Sequence, residues 1–205
     1  MIAVVDYKAG NLTSVMKSLA AVGADAVATE DPAVVRRASK IILPGVGHFA
    51  ATDFLESHGL RQAIADRTVE GIPFLGICVG LQWLFQGSTE APGHSGLGAF
   101  DAVCERFAEG KKVPHVGWNS LEVHENSRLM AGIPSGSFVY FTHSYRAPVI
   151  KGTVAVTNYA GESFTAAVEQ DNIFGVQFHP EKSGAVGLQI LRNFLSLNSA
   201  MVPAC

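Results

Sequence analysis

Gly76-Ile77-Cys78-Val79-Gly80 sets one cysteine between two glycines, each two residues away. In this pattern a strand turns sharply into a helix and lifts the residue at the turn out of the sheet. Side chains beside such a turn collide, which suits glycine to both flanks, and the residue at the apex is usually strained. The thiol then stands at a helix N-terminus, where free N–H groups and the dipole favour thiolate. The Val79 N–H is placed to donate to a developing oxyanion. Taken alone, the pentapeptide fits a buried structural thiol equally well. Far downstream, Phe178-His179-Pro180-Glu181 offers an imidazole and a carboxylate two residues apart. If Gly175-Val176-Gln177-Phe178 is a strand that stays extended through this segment, both side chains face one cleft. His179 would take the thiol proton and later give one to the leaving group. Glu181 would hold the other ring nitrogen and stabilise imidazolium. Together the strings predict acyl transfer or hydrolysis through a cysteine nucleophile. Pro44-Gly45-Val46-Gly47 adds a loop whose backbone N–H groups can point at a substrate, a candidate second half of the oxyanion hole.

The elements that must position these residues alternate in type. Ile2-Ala3-Val4-Val5, Lys40-Ile41-Ile42-Leu43 and the run Pro73 to Cys78 are short and nearly all apolar, as strands buried on both faces are. Asn11 is placed to cap a helix running to about Val22, with Gly23 at its stop, and Asp31-Pro32 begins another. Helical patterning follows from the glycine loop to about Val69, and Gly80 to Phe85 opens a helix after the cysteine. This order predicts an α/β fold with a doubly wound, mostly parallel sheet flanked by helices, in which sites lie at the carboxyl ends of strands. From about Gly96 to Val176 the pattern changes. Ser137–Phe141, Thr153–Thr157 and Ala166–Glu169 read as an antiparallel, β-rich second half of the same domain. Leu188 to Leu197 reads as a closing helix with Leu188, Leu191 and Leu195 on one face.

The 205 residues suit one core better than two, and 48% apolar against 16% charged residues predicts a well-buried fold. Residues 1–205 are therefore expected to form a single domain. A net charge of −3, with only the isolated pairs Arg36-Arg37 and Lys111-Lys112, argues against nucleic acid as a partner. Cys78, Cys104 and Cys205 are odd in number and lack metal spacing, so neither a disulfide framework nor a zinc site is indicated. A reduced cytoplasmic setting fits, and Asp6 and Lys8 interrupt what would be a signal peptide. No apolar run reaches the roughly 18 residues of a membrane helix. The other histidines, among them His115 and His143, lack metal-site spacing, and surface or capping roles are the default for most. Trp118 suits either the core or an interface.

The strings Gly76 to Gln82 and Phe178 to Glu181 together resemble the class I (triad) glutamine amidotransferases. The runs Asp6-Tyr7 to Gly10-Asn11, Pro44 to Gly47, His115-Val116-Gly117-Trp118-Asn119, His143-Ser144-Tyr145 and Gln177 to Ser183 extend the likeness over essentially the whole chain. They resemble most the glutaminase subunits that serve a separate cyclase in histidine biosynthesis. The resemblance implies a class I amidotransferase, flavodoxin-like fold with no cofactor and no metal. It implies Cys78, His179 and Glu181 as the triad, with oxyanion donors from Val46, Gly47 and Val79. Gly45, Gln82, Glu90, Ser144 and Tyr145 would hold glutamine. Trp118, Asn119, Tyr140 and Lys182 would lie near a (β/α)8-barrel cyclase that receives the ammonia. The glycines of the Gly45-Val46-Gly47 loop would let a peptide turn over when that partner binds, leaving the isolated chain a poor glutaminase. Two alternatives stay open: a triad hydrolase with another acceptor, and a non-catalytic scaffold relative.

Overall fold

A computed structural model describes residues 1–110 and 112–198; Lys111 and Cys205, both singled out above, lie outside that range. The strands are β1 (Ile2–Val5), β2 (Ala26–Thr29), β3 (Lys40–Leu43), β4 (Phe74–Ile77), β5 (Phe85–Ser88), β6 (Phe100–Arg106), β7 (His115–Ser120), β8 (Glu122–Val123), β9 (Phe138–His143), β10 (Tyr145–Arg146), β11 (Thr153–Tyr159), β12 (Glu162–Gln170) and β13 (Ile173–Val176). The helices are α1 (Leu12–Ala21), α2 (Pro32–Arg37), α3 (Asp53–Ser57), α4 (Leu60–Val69), α5 (Val79–Trp83) and α6 (Gly184–Ser196).

The principal sheet has the order β2-β1-β3-β4-β13-β12-β11-β8. Pairing is parallel from β2 to β13 and antiparallel from β13 to β8. The expected doubly wound sheet with an antiparallel second half is therefore present. The chain runs from β1 outward to β2, then returns to β3 on the other side of β1. That reversal of direction is the kind of switch point where open sheets of this class bind ligands. After α5 the chain leaves the parallel part and returns as β13, which pairs with β4 in the register Ile173↔Phe74 to Val176↔Ile77. This register sets the end of β13 beside the end of β4, and the Cys78 N–H continues the ladder by donating to the Val176 carbonyl at 2.8 Å.

Every residue of β1 and β4 is buried, which is why both read as unbroken apolar runs. α1 buries Val15 and Leu19, four apart on one face, with Leu12 and Met16 packed partly beside them. Burying one such leucine is worth about 2 kcal/mol. Asp31 caps α2 as expected, accepting from the Ala33 N–H at 2.8 Å.

Several boundaries differ from the sequence reading, each for a local reason. The helix after Cys78 ends at Trp83, not Phe85, because Phe85 begins β5 and packs its ring 5.3 Å from that of Phe100 on the paired β6. The helical stretch before Val69 is broken at Gly59, which takes φ +69° between α3 and α4. The closing helix begins at Gly184 and turns Gly187, Ile190, Leu191 and Phe194 inward, so Leu188 and Leu195 only flank the buried face. Glycine at 187 permits α6 to lie on the Pro180–Lys182 turn: a Cβ there would fall 1.9 Å from the Pro180 carbonyl oxygen. Asn11 sits at the N-cap position of α1 but takes φ +62° and makes no capping bond. Its side chain is engaged in the site.

Candidate active site

Four neighbouring parallel strands, β1, β3, β4 and β13, deliver their carboxyl ends to one cleft. β4 runs into Cys78, at φ +55° and ψ −106°, a backbone conformation that side-chain-bearing residues rarely adopt. Two close contacts hold this elbow in place. A Cβ on Gly76 would fall 2.3 Å from the Gly80 carbonyl oxygen, and one on Gly80 would fall 1.9 Å from that of Leu43. Bare backbone at both positions lets α5 start directly against β3 and β4. Cys78 is only 3% exposed. Its sulfur lies 3.8 Å from the Thr142 carbonyl and receives a long bond, 3.6 Å, from Gln177 Nε2.

β13 delivers His179. Its backbone N–H donates to Tyr140 O at 2.9 Å, and its carbonyl accepts from the Ser183 hydroxyl at 2.6 Å. The segment does not stay extended as expected: Pro180–Lys182 turn as a short 3-10 helix. The turn still brings Glu181 to the ring, and His179 Nδ1–H donates to Glu181 Oε1 at 2.7 Å. Asn11 Nδ2 donates to the same carboxylate oxygen. Nε2 of His179 is buried and has no hydrogen-bond partner among the described residues, which leaves it for the thiol proton. Burial works against the imidazolium. Negative charge on Cys78 and the Glu181 carboxylate outweigh it and hold the His179 pKa above its ordinary value.

A cavity of about 170 Å³ opens beside the sulfur, lined in part by Gly47, Cys78, Val79, Gln82, Glu90, Ser144 and Tyr145. The expected glutamine-holding residues thus converge on one space, except Gly45, which packs beneath Tyr7 and Val79 instead. Gln82 is fixed from behind, its amide donating to Tyr145 O at 2.9 Å and to Gln177 Oε1 at 3.1 Å. Glu90 accepts from the Phe49 N–H at 2.8 Å. The expected oxyanion donors do not face the cavity together. The Val46 N–H donates to Ala9 O at 2.9 Å, and the Val79 N–H is turned to the Gly45 carbonyl at 3.4 Å. The Val46 and Val79 donors are committed to other backbone because the Gly45–Val46 peptide presents its oxygen, rather than its N–H, to Val79, while Gly47, the third expected donor, lines the cavity.

Two histidines whose default role was surface or capping, His115 and His143, are instead buried beside the site. His143 Nδ1–H donates to Tyr145 O at 2.8 Å, so its Nε2 is the acceptor for His115 Nδ1–H at 3.1 Å. Asn119 Nδ2 completes the chain at His115 Nε2, 3.4 Å away. Burial lowers the His115 pKa to about 4. Burial also lowers that of His143 to about 3, against the raising effect of the Tyr145 carbonyl. Both rings are neutral in the fold, whereas in the unfolded chain they take protons below about pH 6.5. Stability therefore falls as pH drops from about 6.5 to about 4, by about 1.4 kcal/mol per pH unit for each ring. Melting temperatures between pH 7 and pH 4.5 should follow this fall, and His143→Gln should make it shallower.

The sequence pattern missed Tyr7, Asn11, Gln177 and the His115–His143 pair as members of this cleft. All lie within the strings that carried the family likeness, but none has a spacing that announces a role.

A cysteine on a strained strand-to-helix turn, an imidazole braced by a carboxylate on the neighbouring strand end, and a small polar cavity between them can carry acyl transfer from an amide. The pattern of the class-I glutamine amidotransferases matches residues 3–197, and the chain belongs to that family. Among curated proteins it is 48% identical over 203 residues to "Imidazole glycerol phosphate synthase subunit HisH" of Thermococcus kodakarensis, covering 96% of this chain and 100% of that one. It is 46% identical over 198 residues to the protein of the same name from Methanothermobacter thermautotrophicus, covering 96% and 98%. A crystal structure of a glutamine amidotransferase superposes with a TM-score of 0.75 at 21% identity, covering 95% of this chain and 99% of that one, which speaks for the fold.

Proposed function

We propose that this chain is the glutaminase subunit of an imidazole glycerol phosphate synthase, acting as one domain in the cytoplasm and passing ammonia to a separate (β/α)8-barrel cyclase in histidine biosynthesis. The observation that carries this reading is the meeting of Cys78, His179 and Glu181 at adjacent strand ends, in a chain 46–48% identical over nearly its full length to subunits of that name. The Cys78 sulfur attacks the side-chain amide carbon of glutamine and gives up its proton to His179 Nε2. The tetrahedral intermediate collapses, the C–N bond breaks, and His179 returns the proton to the departing ammonia. Water then attacks the glutamyl thioester with His179 as base, releasing glutamate and the free thiol. Glu181 keeps the proton on Nδ1 and so presents Nε2 to the sulfur. Gln82, Glu90, Ser144 and Tyr145 hold the amino-acid end of glutamine.

The oxyanion is received when the Gly45–Val46 peptide turns over, freeing the Val79 N–H and bringing the Val46 N–H or that of Gly47 to the cavity. Partner binding drives this change. The ribbon of β7 and β9 carries an apolar face suited to that partner, with Val116, Trp118 and Phe138 more than half exposed. Trp118 meets the Tyr140 ring edge-on at 6.1 Å, and Lys182 Nζ lies 5.6 Å above Tyr140. The Tyr140 carbonyl in turn holds the His179 N–H, so the docking strand is bonded directly to the catalytic turn. Asn119 sits half-buried behind this face and donates to Asn158 O at 2.9 Å. Trp118→Ala is expected to weaken cyclase binding by about 2 kcal/mol, roughly 30-fold in Kd, by calorimetric titration. An unchanged Kd would move the interface elsewhere.

Glutamine labelled with 15N in its side-chain amide tests the function. With the cyclase and its nucleotide substrate present, the label should appear in the imidazole product even in excess unlabelled ammonium. Label that is diluted fully by the ammonium pool would refute delivery to this partner.

A further inference from the structure

We propose that the Tyr7 hydroxyl positions the oxyanion loop, as the donor that takes the Gly45 carbonyl when that carbonyl leaves Val79. The inference rests on the glutaminase reading above and concerns how its oxyanion hole is switched on. Tyr7 follows β1 and is 2% exposed, yet its hydroxyl has no hydrogen-bond partner among the described residues. An O–H sealed from water without a partner is costly and uncommon, and it calls for an acceptor in some other state of the molecule. Of the four buried side-chain polar atoms without a partner among the described residues, three, Tyr7 Oη, His179 Nε2 and Glu181 Oε2, lie at this site, and Arg67 Nε lies away from it.

The hydroxyl lies directly against the loop. A Cβ added to Gly45 would fall 1.9 Å from the Tyr7 oxygen and 3.0 Å from the Val79 Cβ. Only bare backbone admits the phenol there. In the present arrangement the Gly45 carbonyl accepts a long bond, 3.4 Å, from the Val79 N–H, while the Val46 N–H donates to Ala9 O at 2.9 Å. For the Val79 N–H to serve an oxyanion, the Gly45 carbonyl must turn away from it. A backbone carbonyl leaving a bond inside a sealed site needs a new donor. The Tyr7 O–H is adjacent, buried and unengaged. Burial, and to a lesser degree the charge of Cys78, raise the Tyr7 pKa, so the phenol keeps the proton it would donate.

Tyr7→Phe removes the oxygen alone and tests the assignment. In the complex with the cyclase, kcat for glutamate release should fall about tenfold, the scale of one hydrogen bond lost from the active arrangement. KM for glutamine should stay within about twofold, and the melting temperature should be equal or higher. Alkylation of Cys78 by iodoacetamide forms no oxyanion, so its rate should not change. Wild-type kcat in the variant would overturn the inference. So would a parallel loss of kcat, alkylation rate and melting temperature, which marks simple packing. Absence of glutamate release by the wild-type complex would overturn the glutaminase reading itself and this inference with it.

Discussion

Cys78→Ala is expected to lower glutamate release by the cyclase-bound chain by about 10⁴-fold or more, because among the described residues lining the cavity Cys78 alone carries a thiol. The loss should not come from unfolding. The sulfur's hydrogen bonds to Gln177 Nε2 and Thr142 O are long, at 3.6 Å and 3.8 Å. Alanine inherits the same positive φ that cysteine already tolerates. A thermal melt within a few degrees of wild type would therefore accompany the loss. His179→Ala should cost nearly as much, since nucleophile and base act as a unit and their effects do not add. Glutamate release by either variant within tenfold of wild type would show that the cleft is not where the amide is cleaved.

Gly80→Ala should damage the fold as well as the reaction. The new methyl would lie 1.9 Å from the Leu43 carbonyl oxygen and 3.0 Å from its carbonyl carbon. Neither is the end of a flexible side chain. To make room, α5 must lift from β3, and the elbow holding Cys78 moves with it. Overpacking of backbone on backbone at a buried site should cost upwards of about 3 kcal/mol, measured as a drop in the urea midpoint. Glutamate release should be lost with it. Gly76→Ala meets the Gly80 carbonyl at 2.3 Å and should behave alike. A Gly80→Ala protein with wild-type stability would mean that the strand-to-helix turn is looser than these contacts require.

The sequence was most legible where one physical demand dominated. β1, β3 and β4 are buried almost throughout, so their apolar runs could be read directly. β2, Ala26–Thr29, is an edge strand with no buried residue, and its mild composition gave no such signal. The triad was legible because each member has a chemically distinctive type and the glycines around Cys78 have one steric purpose. Its geometry was less so. Glu181 was expected on an extended segment but reaches the ring through a 3-10 turn fixed by Pro180 and Ser183. Asn11 looked like a helix cap, yet its left-handed backbone turns its amide to Glu181, 170 residues away, a pairing no local pattern encodes. His115 and His143 looked like surface residues because isolated histidines usually are. They are buried because the register of β7 on β9 sets them opposite each other, where each satisfies the other's ring nitrogen. The resting direction of the Gly45–Val46 peptide was not legible at all, since glycine allows both orientations.

The most direct test of the account is the site of covalent capture. A diazoketone analogue of glutamine, incubated with the cyclase-bound chain and followed by peptide mass spectrometry, should give one adduct, on Cys78. Excess glutamine should suppress it. Capture at Cys104, or an unmodified Cys78 in a complex that still hydrolyses glutamine, would contradict the claim that this chain cleaves glutamine through a Cys78 thioester.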